Sequence, residues 1–67
     1  MPYRTVADLP PAVRRLPPHA QEIFLAAFNS AFAEYAARAD QEELAFGTAW
    51  AAVKKTHQKV AGRWVEK

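Results

Sequence analysis

All five prolines of this chain, Pro2, Pro10, Pro11, Pro17 and Pro18, fall within its first 18 residues. Proline fixes φ and lacks an amide N–H, so it breaks a helix interior but suits a first helical turn. The chain therefore divides into a punctuated leader and a proline-free remainder that can run in long helices. Within the leader, Thr5-Val6-Ala7-Asp8 resembles a capping box with Asp in place of the preferred Glu or Gln. Leu9-Pro10-Pro11 stops that turn and restarts the chain, and the stretch from Pro11 to Leu16 has room for a short helix before Pro17-Pro18.

From Pro18 the spacing predicts a long helix ending near Arg38. Residues set about 100° apart place Ala20, Phe24, Ala27, Phe28, Ala31, Phe32 and Tyr35 on one broad face. Asp40 and Glu43 then give a second start signal. A further helix is expected from about Gln41 to Val60, with Ala45, Phe46, Ala49, Trp50, Ala52 and Val53 inward and Gly62 as its C-terminal stop. Two short β-type segments remain, Tyr3-Arg4-Thr5 and Arg63-Trp64-Val65. They are expected to pair as a miniature sheet, with Tyr3 against Trp64. The expected fold class is mainly α: a short leading helix, two longer helices and a minimal sheet joining the N- and C-terminal segments.

Size sharpens this reading. Residues 1–67 make one domain, and so short a chain buries only about 60% of its unfolded surface. No cysteine is present, so disulfides cannot staple it, and the composition suits a reducing compartment. Hydrophobic residues make up 51% of the chain, but many are small alanines, so the core falls to Phe24, Phe28, Phe32, Phe46 and Trp50. The apolar run Ile23 to Phe28 is far below the roughly 20 residues of a membrane span. Glu22 and Glu34 stand where an interfacial helix would carry lysine. The start MPYRTVADLP lacks a signal-peptide core. A cytoplasmic protein without membrane insertion is expected.

The inventory argues against catalysis. Ser30 lies within a helix, His19 and His57 fall on different helices with no nucleophile motif, and Gly47 and Gly62 cannot form a phosphate loop. A non-enzymatic protein without cofactor or metal is expected. Asp40, Glu42 and Glu43 read as helix-start acids that complement the positive helix end. His19 reads as a structural hydrogen-bonding residue. Asn29, a mediocre helix former at the border of the apolar face, is expected to satisfy backbone groups of the N-terminal segment.

The basic residues leave a sharper possibility. The net charge is +2, and residues 54–67 hold Lys54, Lys55, Lys59, Arg63 and Lys67 against the single acid Glu66. The lysines fan over the solvent side of a helix end, where cations offset the negative helix terminus. If the chain ends pair, Arg4, Arg63 and Lys67 approach them and form an anion-binding surface. Nucleic-acid binding there would be salt-dependent and indifferent to sequence.

Four blocks, MPYRTVADLP, LPPHAQEIFLAAFNSAF, TAWAAVKKTHQK and GRWVEK, resemble in order those of the ChaB family. The resemblance runs from Met1 to Lys67 and is carried most specifically by Leu16-Pro17, His19 to Ile23, Ala27 to Ala31 and Trp50 to Lys54. It implies a few helices with a small sheet, and marks His19, Gln21, Asn29 and Trp50 as motif residues of structural role. Family members are named as regulators of a cation/proton antiporter, which implies a small regulatory protein, favoured as a monomer, acting through a protein partner. Some relatives are regarded as DNA binders, so a DNA-binding accessory module is the alternative; a generic adaptor is a third. Many members carry a long charged loop between the second and third helices. Here that region is only Ala36 to Glu43, which removes a divalent-cation role from the loop.

Overall fold

The structure, a computed structural model, describes Tyr3 to Lys67. A single 3-10 turn, Val6–Asp8, leads into α1 (Pro11–Arg14), α2 (Pro18–Glu34), α3 (Gln41–Thr56), β1 (His57–Val60) and β2 (Arg63–Glu66). The mainly helical fold with a two-stranded sheet is as the sequence implies. Proline stands at the first position of both α1 and α2.

α2 and α3 pack antiparallel. His19 at the start of α2 meets His57 just beyond α3, and the Gln41 side chain at the start of α3 donates to the Phe32 carbonyl at 2.6 Å. Between them lie Phe24 and Phe28, both buried, with Ala20, Ala31, Ala45, Ala49 and Val53. Alanines at the interface let the helices approach closely, and the two phenylalanines supply volume. Full burial of each contributes about 1.5–3 kcal/mol. Phe32, Phe46 and Trp50 are half-buried and pack against this centre, while Leu9, Val13 and Leu16 of the leader close it.

The sheet is built differently from expectation. β1 pairs with β2 as an antiparallel hairpin, with His57 opposite Glu66 and Lys59 opposite Trp64. α3 therefore stops at Thr56 rather than Val60. Ala61 and Gly62 form the tip, with φ of 52° and 79°. Two successive left-handed residues are the signature of a two-residue type I′ turn, whose twist matches that of paired strands. Gly62 thus turns a hairpin and does not stop a helix.

Tyr3, freed from any strand, packs its ring on Phe28 at a centroid distance of 4.9 Å. Trp64 instead stacks near Trp50, at 6.0 Å. Tyr3 and Trp64 are each half-buried, on separate partners.

Helix ends also differ in detail. α2 stops at Glu34, and the turn from Tyr35 to Asp40 carries the chain to α3. Asp40 stands at the N-cap of α3, but its carboxylate makes no cap bond and accepts from Arg38 Nε at 3.1 Å. Likewise the Thr5 hydroxyl donates to the Asp8 carboxylate at 3.4 Å and caps no amide. In each case the side chain is engaged by a neighbouring side chain.

Candidate functional site

Gln21 shows how the leader is set. Its side-chain amide donates to the carbonyls of Arg14 and Leu16, at 2.9 and 2.6 Å. The Arg14 carbonyl is left over at the end of α1, as the last carbonyls of any helix are, and the Leu16 carbonyl lies in the turn beyond it. The bond pair holds the C-terminal end of α1 over the first turns of α2 and brings Arg15 to the hairpin side.

There the molecule carries a cleft of about 530 Å³, lined among others by Arg15, Leu16, Trp50, Lys59, Arg63 and Trp64. Trp50 forms its floor and is braced by Phe24, edge-to-face at 5.2 Å and 76°. Trp64 lies near-parallel to Trp50, 29° apart. The hairpin register explains the wall: Lys59 and Trp64 are cross-strand partners, and Val60 and Arg63 flank the turn. Three cations around two indoles make a surface suited to an anionic group joined to an apolar or aromatic one.

Of the basic residues singled out in the sequence, the structure brings Lys59 and Arg63 together. Lys54 and Lys55 are exposed in the last turn of α3 and do not line the cleft. Lys67 is fixed by its backbone, whose N–H donates to the Thr56 carbonyl at 2.9 Å. Arg4 is exposed beside Tyr3, outside the cleft lining, because the N-terminal segment does not join the sheet. Arg15 was missed by sequence reasoning; its signal was the Leu16-Pro17 block, which forces the chain to turn directly after it.

The motif residues have identifiable work. Asn29 holds the backbone of Tyr3 at both polar atoms, as its position at the edge of the apolar face implied. Trp50 joins core to cleft. His19 is largely exposed, with Nδ1 3.5 Å from Glu66 Oε2.

At the other end, Asp40, Glu42 and Glu43 border an open depression with Ala39 and Phe46. The Arg38 hydrogen bond holds the Asp40 carboxyl below its ordinary range and raises the Arg38 guanidinium in turn. Tyr3 lies under the field of Glu42, and its phenol is pushed up, first by burial and then by that charge. No helix among the described residues is long and apolar enough to cross a membrane.

Comparison with known proteins agrees with this architecture. The ChaB family profile matches residues 9–67. A protein of Escherichia coli strain K12 named "Putative cation transport regulator ChaB" is 47% identical over 66 residues, covering 88% of this chain and 87% of its own length. The Shigella flexneri protein of the same name matches equally. An NMR solution structure bearing that name superposes with a TM-score of 0.86 at 42% identity, over 98% of this chain and 99% of the other. With sequence and fold in accord along nearly its whole length, the chain belongs to the ChaB family.

Proposed function

We infer that this protein is a small non-enzymatic regulator of cation transport, working through contact with a protein partner. The observation that carries the reading is the cleft of Arg15, Lys59 and Arg63 around Trp50 and Trp64. It is matched to an acidic segment bearing an aromatic or aliphatic anchor, since aromatic and arginine side chains dominate binding energy at protein interfaces. Family membership directs the choice of partner: relatives carry the name of cation transport regulators. A cytoplasmic segment of a cation/proton antiporter is the partner this reading selects.

The test is antiport measured in vesicles containing a purified cation/proton antiporter, with this protein added from the cytoplasmic side. Ion-coupled proton flux should change on addition, and Lys59→Glu with Arg63→Glu should remove the change. Flux indifferent to the wild-type protein, together with salt-sensitive binding to a DNA duplex, would instead identify the nucleic-acid alternative.

A further inference from the structure

Among the described residues, His57 is the one polar side chain that is buried, at 2% exposure. Its Nδ1 lies 2.9 Å from the Thr56 hydroxyl oxygen, which in turn lies 3.4 Å from the Val53 carbonyl. In the tautomer with its proton on Nδ1, His57 donates to the Thr56 oxygen while the Thr56 hydroxyl donates to the Val53 carbonyl. That tautomer leaves Nε2 with the lone pair. Metal-bound histidines are usually oriented in this way, through a hydrogen bond from the other ring nitrogen.

Two further donors stand beside it. Glu66 faces His57 directly across the hairpin. His19, in the first turn of α2, sets its ring edge-on to His57 with centroids 5.8 Å apart. One ligand atom from each of His19, His57 and Glu66 lies within 4.8 Å of the others. No other group of three histidine or acidic side chains converges in this way among the described residues.

We propose that His19, His57 and Glu66 form a binding site for a divalent transition-metal ion of the zinc class. Two imidazoles and one carboxylate make a recurrent open zinc donor set, with water completing the tetrahedron. Bonds of about 2.0–2.2 Å to a tetrahedral ion bring its donors to roughly 3.3 Å from one another. The required closure is small and falls on the residues free to move: the side chains of His19 and Glu66 are 63% and 67% exposed, while His57 is the fixed anchor. His19 and Glu66 meet in a 3.5 Å contact at the surface. Hard ions such as Mg²⁺ prefer all-oxygen octahedral shells and are poorly served here. The bound ion would clamp the hairpin to the start of α2.

The experiment is calorimetric titration of the chelator-treated full chain with ZnCl₂, alongside ¹H–¹⁵N NMR. Wild type should bind one equivalent, with the largest shifts at His19, His57 and Glu66. His19→Ala and Glu66→Gln, both at exposed positions and checked for folding by circular dichroism, should each weaken binding tenfold or more. Loss of saturable binding in wild type would overturn the proposal. So would zinc affinity unchanged by both variants, as would shifts centred on Asp40, Glu42 and Glu43. If one variant misfolds, the other decides.

Discussion

Asn29 grips Tyr3 by its backbone. Asn29 Oδ1 accepts from the Tyr3 amide at 2.9 Å, and Asn29 Nδ2 donates to the Tyr3 carbonyl at 2.8 Å. A side-chain amide is the one common group that matches a residue's N–H and C=O simultaneously. Ring contact with Phe28 then follows from the anchored backbone. Asn29→Ala should destabilise the protein by about 1–3 kcal/mol, because two half-buried backbone groups lose their partners. For a domain of this size each kcal/mol lowers the melting temperature by roughly 4–8 °C. Asn29→Asp retains the acceptor for the Tyr3 amide but sets a carboxylate oxygen against the Tyr3 carbonyl, so it too should lower the melting temperature. A thermal melt of Asn29→Ala coincident with wild type would remove asparagine from the structural account.

The two glycines should respond oppositely to one substitution. Neither position has an atom within 4 Å of an added Cβ, so packing does not distinguish them. Gly47 lies exposed inside α3, where alanine is favoured by about 0.8–1 kcal/mol. Gly62 holds φ 79° at the hairpin tip, where alanine costs about 1–2 kcal/mol. Urea denaturation should therefore show Gly47→Ala shifted to higher midpoint and Gly62→Ala to lower. Shifts of the same sign in both would contradict the turn geometry.

Tyr3 supplies an alkaline limit to stability. Its phenol pKa is raised in the folded chain, by burial first and by Glu42 second. Folding therefore favours the neutral phenol. Its contribution is fully present below about pH 10, where the unfolded phenol ionises, and is lost as pH rises through the folded value. Ultraviolet titration in a Tyr35→Phe background should find Tyr3 ionising later than a free phenol. Adding Glu42→Gln should move that ionisation partway back; no movement would show that the charge is not felt.

Charge position, not charge number, should govern partner binding. Lys59→Glu with Arg63→Glu alters the cleft wall, whereas Lys54→Glu with Lys55→Glu makes an equal charge change on the outer end of α3. In reconstituted antiport the first pair should abolish the regulatory effect, and the second should leave most of it. Equal losses would mean that the cleft has no special part.

These differences trace what the sequence could convey. The helical faces of α2 and α3 were legible, because alanine and phenylalanine recur there at helical period. Asn29 was legible for the opposite reason: it breaks that pattern at one edge. The hairpin was not, because His57 to Val60 continues a helical stretch without proline or a strong turn pair. Ala-Gly is a weak hairpin signal beside Asn-Gly. Missing the hairpin hid both sites, since Lys59 meets Trp64, and His57 meets Glu66, only across paired strands.

The connection from Tyr35 to Asp40 lies at the far end of the helix pair from the His19 cluster, about 25 Å away along α2, and about 14 Å along α3 from Trp50 in the cleft. Doubling the length of such a loop costs only about 0.6 kcal/mol. A tag, fluorophore or guest peptide could therefore be spliced there while the cleft and hairpin continue to work unaltered. For tracking this protein in a cell, that turn is the natural place to attach a reporter.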